Sequence, residues 1–265
     1  MTSANSGADT TSAIVFEQPL NERVRTFLRL EFLFAQHRHH RGDHSSWGVR
    51  DTLRGLLDIL TVLARGDLKT EILKELSAQH AGLTRLQQRP GVDPARLQTV
   101  LGELNDAINA LQILTSHTLA TVLRDNEFQI SLLHRGTIPG GASAFDLPGF
   151  HHWLSQPGEH VRRDLDAWFA DLAPFERAIM LFLRLLRHST QPSQEVAKAG
   201  MFVYAPHGEY ELVRVLVNPD AGVFPEISAG RHRFTVRFMS QRDVNTRAVQ
   251  TSADIPFQLQ CCALT

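Results

Sequence analysis

Apolar positions recur at helical spacing through roughly the first three quarters of the chain, and strict alternation replaces that period near its end. Val24, Phe27, Leu28, Phe32 and Leu33 predict a first helix capped by Asn21, dense enough in apolar residues to be buried on more than one side. Leu53, Leu56, Leu57, Leu60 and Leu63 predict a second. It ends at Arg65-Gly66, where glycine takes the left-handed C-terminal conformation and places Arg65 at a helix end. Asp67 caps a third, with Ile72, Leu73, Leu76, Leu83 and Leu86 as its stripe and Pro90-Gly91 as its breaker. Asp93-Pro94 opens a fourth through Leu97, Val100, Leu101, Leu104, Ile108 and Leu111. Further helical stretches cover 118–134, 148–155 and 160–188, and Pro174 kinks or splits the last of these.

Ala13–Glu17 is a short β-rich segment stopped by Pro19. Beyond residue 200, Met201–Ala205, Glu209–Val217, Arg231–Met239 and Ile255–Cys262 read as strands. A lone strand needs a partner, so the N-terminal one joins the C-terminal sheet. The fold class is therefore α+β: a helical domain (20–199) inserted between an N-terminal strand and a C-terminal antiparallel β-sheet domain (13–19 plus 200–265), preceded by a disordered tail (1–12).

Composition narrows the class of partner. The chain has 265 residues, 43% of them hydrophobic and 21% charged, which suits a globular core and excludes a disordered or fibrous chain. Lys+Arg 27 against Asp+Glu 28 leaves a net charge of −1, so recognition of an anion has to be local. Cys261 and Cys262 are adjacent and have no distant cysteine to close a loop, consistent with a reducing cytosol. No apolar run approaches the roughly 18–20 residues of a membrane span, and Met1–Ser12 has neither the basic nor the apolar region of a signal peptide.

Catalytic motifs are missing: no G-x-S-x-G, H-E-x-x-H, P-loop or G-x-G-x-x-G. Ile138-Pro139-Gly140-Gly141 has the chemistry of a type II turn rather than of a phosphate loop. In His37-Arg38-His39-His40-Arg41-Gly42-Asp43-His44, a helix would pair His40 with His44 as metal ligands. Gly42 and the arginines oppose that, so no metal and no cofactor are expected. His151-His152 lack an assignable carboxylate or nucleophile beside them, which leaves an enzyme reading without a mechanism.

The most informative stretch is Arg231–Met239. Period-2 geometry puts Arg231, Arg233, Thr235 and Arg237 on one side and His232, Phe234, Val236 and Phe238 on the other. A row of arginines implies either acidic cross-strand partners on a solvated face or an external anionic ligand. Arg25 and Arg29, one helical turn apart, make a weaker cationic patch that Glu22 partly neutralises.

These residues also carry a resemblance. The run Phe16-Glu17-Gln18-Pro19-Leu20-Asn21-Glu22-Arg23, followed by Arg25-Thr26, Leu28-Arg29 and Glu31-Phe32-Leu33, is similar to the opening signature of the ZapD family of FtsZ-associated bacterial cell division proteins. Arg65-Gly66, Leu73-Lys74-Glu75-Leu76, Pro90-Gly91-Val92-Asp93, Ile138-Pro139-Gly140-Gly141, Phe145-Asp146-Leu147-Pro148, Ile227-Ser228, Arg233-Phe234, Arg237-Phe238-Met239 and Cys261-Cys262 follow in family order. The resemblance implies a cytoplasmic homodimer without enzymatic activity. It would act at the mid-cell Z-ring in septation, binding the acidic and apolar C-terminal tail of FtsZ and bundling or cross-linking FtsZ filaments. It further implies that Arg231, Arg233 and Arg237, with Arg65, form a tail-binding surface, and that Arg25, Arg29 and His151 match positions of charged filament contacts. Three features depart from the pattern: a longer tail before Ala13, the histidine-arginine run at 37–44, and Glu127 where relatives would carry a basic residue. The rival reading is a nucleic-acid-binding protein using the arginine face, against which stand the near-neutral charge and the lack of aromatics on that face. Neither nucleic acid nor membrane is therefore expected as a partner.

Overall fold

The computed structural model describes residues 13–43, 45–64, 67–114, 126–136, 138–205, 208–230 and 233–264. The N-terminal tail, His44, Arg65-Gly66, the start of the 118–134 helix, and Arg231-His232 lie outside them. The chain divides into two compact units, one of residues 1–25 with 185–264, the other essentially Thr26–Arg184.

Eight helices are described: α1 (Glu22–His40), α2 (Ser46–Leu63), α3 (Leu68–Thr84), α4 (Pro94–Ile113), α5 (Glu127–Gly136), α6 (Pro148–Leu154), α7 (Gly158–Ala170) and α8 (Ala173–Arg187). Their starts are set by side chains that satisfy orphan N–H groups. Asn21 Oδ1 accepts from Val24 N at 2.8 Å. Asp67 Oδ1 accepts from Thr70 N at 3.3 Å, and Asp93 Oδ1 from Ala95 N at 2.9 Å with Pro94 as the first helical residue. The stretch expected at 160–188 is two helices, α7 and α8, because Pro174 in the first turn of α8 cannot continue α7. Phe27, Phe34, Leu56, Ile59, Ile72, Leu104, Phe175 and Phe182 are buried in the helical unit, and Phe27 meets Phe182 edge-to-face at 5.0 Å. At 138–141, Gly141 N donates to Ile138 O at 2.8 Å and Gly140 has φ +75°, the type II turn that Pro139-Gly140 dictates.

The β unit holds β1 (Ile14–Pro19), β2 (Ser193–Ala197), β3 (Met201–Tyr204), β4 (Leu212–Val217), β5 (Phe224–Ala229), β6 (Phe234–Ser240), β7 (Val249–Gln250) and β8 (Ile255–Cys262). They form two sheets with antiparallel pairing throughout. One has the order β1-β4-β8-β2; the other has the order β3-β6-β5, with β7 also on β6. The N-terminal strand does join C-terminal strands, with Glu17 opposite Arg214 on β4. The inner faces meet in a core of Val213, Val215, Val217, Phe234, Val236, Phe238, Phe257 and Leu259.

The far face of the first sheet carries charge. Arg187, in the last turn of α8, grips Glu17 with Nε on Oε1 at 2.8 Å and Nη2 on Oε2 at 2.7 Å, and Arg214 Nε donates to Oε1 at 2.7 Å. Gln260 on β8 accepts from Arg214 Nη1 at 2.7 Å and donates to the carbonyls of Arg187 and Thr190. Glu17, Arg187 and Arg214 are each about one-fifth exposed. Removing the one carboxylate leaves two arginines facing each other in partly desolvated surroundings. Glu17→Ala should therefore lower the unfolding free energy by about 2–4 kcal/mol, more than Glu17→Gln, in urea titrations followed by circular dichroism.

Candidate functional site

The candidate site grows from β6. Phe234, Val236 and Phe238 are at most 2% exposed and point into the core, so Thr235, Arg237 and Met239 take the opposite face. That face is the outer surface of the second sheet. Arg233, exposed immediately before β6, accepts from Gly230 N through its carbonyl at 2.9 Å and so closes the β5–β6 connection. The alternation read from the sequence thus places Arg233 and Arg237 outward, four residues apart.

Cross-strand register supplies their neighbours. Arg237 lies opposite Glu226 on β5 and Met201 on β3; Thr235 lies opposite Ser228 and Val203. Arg237 Nη2 bonds Glu226 Oε2 at 2.8 Å, with the two side chains 52% and 48% exposed. This pair engages one of the five guanidinium N–H groups, and at such exposure it contributes at most about 1 kcal/mol. An internal carboxylate therefore accounts for part of Arg237. Among the described residues no carboxylate forms an ion pair with the Arg233 guanidinium. Beside these arginines Met201 and Val203 are 44% and 50% exposed, giving a surface that is cationic and apolar together. The sequence pattern missed these two because Met201-Phe202-Val203-Tyr204 is apolar at every position, so nothing in it marks the solvent face.

The other named residues stand on other elements or outside the described residues. Arg25, at the start of α1, bonds Glu22 at 3.2 Å. Arg29 is exposed further along α1. His151 is exposed on α6 in the helical unit. Arg65 and Arg231 lie outside the described residues. Glu127 stands in the first turn of α5, where a carboxylate complements the helix dipole, a local reason for an acid at that position.

No group of three or more metal-ligating side chains occurs among the described residues. Burial pushes the Cys261 thiol up to about 11 and raises that of Cys262 as well, which keeps both protonated and poorly nucleophilic. From the histidine run, His37 is buried against Phe169 with Nδ1 unpartnered among the described residues. It lies beside a cavity of about 110 Å³ that Arg41, Ser46, Gln156, Arg162 and Asp166 also line.

The family model for ZapD, a cell division protein, matches residues 28–237, from α1 into β6 and as far as Arg237. The chain belongs to the ZapD family. The ZapD cell division protein of Methylococcus capsulatus is 41% identical over 255 residues, covering 95% of this chain and 98% of that relative. ZapD from Ralstonia nicotianae is 39% identical over 251 residues, 94% and 99% of the two chains, and ZapD from Aromatoleum aromaticum 34% over 252 residues, 95% and 98%. Membership in the ZapD family gives the chain a role in cell division, in a family not named for any enzymatic activity. Among the described residues no helix is long and apolar enough to cross a membrane.

The buried histidine makes a testable demand on stability. Burial, reinforced by Arg41 and Arg38 and opposed by Asp166, lowers His37 from 6.5 to about 4. Between those values the unfolded chain binds a proton that the native state refuses, so stability falls as pH drops through this window, by up to about 3 kcal/mol in all. From pH 7 to pH 5 the wild type should lose about 1–2 kcal/mol more than His37→Phe, measured by chemical denaturation at each pH.

Proposed function

We propose that this chain binds the C-terminal tail of FtsZ on the outer face of its second sheet and, as a homodimer, cross-links FtsZ filaments at the cytoplasmic division site without catalysing a reaction. The observation that carries this reading is the outward projection of Arg233 and Arg237 beside exposed Met201 and Val203, in a member of the ZapD family. An acidic and apolar tail complements such a face. Its carboxylates would meet guanidinium groups through charge-assisted hydrogen bonds worth about 1.5–3 kcal/mol each. Arg231 would continue the row, and the resemblance adds Arg65 to the groups proposed to contact the tail.

Cross-linking requires more than one tail site per particle. A two-fold dimer carries two copies of every patch, so modest single-site affinities multiply along a polymer that presents many tails. Arg25, Arg29 and His151 are the groups proposed for additional charged contacts with the filament. A nucleic-acid partner is disfavoured, since stacking would need exposed aromatic rings, whereas Phe202 and Tyr204 on β3 pack toward the core.

Charge reversal adds repulsion to the loss of a bond. Arg233→Glu and Arg237→Glu should each weaken binding of a labelled tail peptide at least about tenfold and reduce filament pelleting, with the wild-type affinity itself falling as salt rises. Folded variants that bundle filaments as the wild type does would remove this face from the mechanism.

A further inference from the structure

We infer that the partner's tail docks by adding a strand to the free edge of β3, its backbone bonded to Val203 and its acidic side chains turned toward Arg237 and Arg233. This rests on the tail-binding reading above and specifies its geometry. Among the described strands β3 pairs with β6 alone.

Ladder parity shows which groups are open. Phe238 N donates to Gly200 O at 2.8 Å, so Gly200 and Phe238 form a hydrogen-bonded pair, as do Phe202 with Val236 and Tyr204 with Phe234 two and four residues on. Met201 and Val203 therefore turn their backbone groups away from β6. Met201 N is used within the preceding turn, donating to Lys198 O at 2.9 Å. Met201 also forms an isolated antiparallel bridge with Lys198 across that turn, so among the described residues the edge leaves open the two backbone groups of Val203. Gly200 fixes the start of β3: with φ +71°, a Cβ there would run into the Thr251 carbonyl.

Natural edge strands are usually guarded by lysine, proline, a bulge or cover. Met201-Phe202-Val203-Tyr204 contains neither lysine nor proline, and Met201 and Val203 are exposed. Strand addition draws affinity from main-chain bonds and specificity from alternate side chains. Arg237 and Arg233 stand about 13 Å apart along the strand direction. An added segment with two carboxylates four residues apart on one face, and an apolar residue between them, would match that spacing and place the apolar group against Met201 and Val203. A second copy of this chain fits the edge poorly, because antiparallel pairing of two β3 strands would bring Arg237 of each toward Arg233 of the other.

Val203→Pro tests the edge selectively. It deletes an N–H that faces away from β6, a position where an edge strand tolerates proline, and leaves the β3–β6 ladder intact. Val203→Ala removes side-chain contact but keeps the N–H. The full-length protein would be titrated with the C-terminal tail peptide of the same organism's FtsZ by fluorescence anisotropy. Val203→Pro should lose at least tenfold in affinity while keeping the wild-type circular dichroism, melting point and oligomeric state, and Val203→Ala should lose no more than about threefold. If Val203→Pro binds like Val203→Ala while Arg237→Glu still loses binding, strand addition is wrong and the tail-binding reading survives. If Arg237→Glu also binds like the wild type, both fall. Loss of a dimer in Val203→Pro would assign the edge to self-pairing and overturn the proposal. Should Val203→Pro unfold, tail peptides N-methylated at alternate residues decide: one alternate set must lose binding and the other keep it, and equal sensitivity of both sets overturns strand addition.

Discussion

Burial of Phe234, Val236 and Phe238 on one face of β6 governs everything the second sheet presents to solvent. With a side-chain period of two, a slip of one residue would drive Thr235, Arg237 and Met239 into the sandwich core and expose three apolar groups. Register on both sides of β6 keeps that from happening. Val236 is held between Phe202 of β3 on one flank and Ile227 of β5 on the other, while Phe202 and Phe238 both meet Phe257 of the facing sheet at ring distances of 5.2 and 5.1 Å. The outward arginines are thus a by-product of a well-specified core. Changing them should leave the sheet's packing undisturbed, which is why a charge-reversal variant separates binding from folding.

The facing sheet needs its own closure, and this comes from the far end of the sequence. β1 is joined to β4 through a register that sets Glu17 opposite Arg214, and the Glu17 carboxylate also receives both donors of the Arg187 fork. Arg23 adds a second tie, bonding Glu211 at 2.7 Å just before β4. One carboxylate between two guanidiniums is a net positive cluster, so Gln260 contributes by accepting from Arg214 and by satisfying the Arg187 and Thr190 carbonyls. Replacing such a cluster by apolar residues would often cost little, whereas removing one member costs a great deal. What it supplies beyond stability is a specified position for β1.

Much of this was legible in the sequence where a single local cause decides the structure. The caps at Asn21, Asp67 and Asp93, the Pro139-Gly140 turn and the break before Pro174 each follow from one side chain's chemistry. The α+β class and the antiparallel return of the N-terminal strand followed from the change of period. Strands β2 and β5 were not legible. Ser193-Gln194-Glu195 has no apolar alternation because β2 is an exposed edge, and Pro225 argues against a strand at β5. The ladder resolves the latter: Phe238 directs its N–H to Gly200, so Pro225 opposite it has no bond to give up, and its ring nitrogen lies on the outer edge. For the same reason the arginine row could be read, while Glu226 as its partner and Met201 and Val203 as its apolar border could not. All three depend on which strand lies beside β6.

The Glu226–Arg237 pair bears on how strong the proposed contact ought to be. A bound carboxylate must share or displace Glu226, so part of its attraction to Arg237 is already spent in the free protein, although at half exposure that loss is small. The pair also keeps the guanidinium near the sheet surface before any partner arrives, which reduces the side-chain entropy lost on binding. These two effects oppose each other and leave a site of modest intrinsic affinity with a defined geometry. In the proposed function, such a site would suit reversible cross-linking better than a tight one: avidity would supply retention, and each contact could still open singly. One internal acid beside two outward arginines is therefore compatible with the cross-linking proposed above.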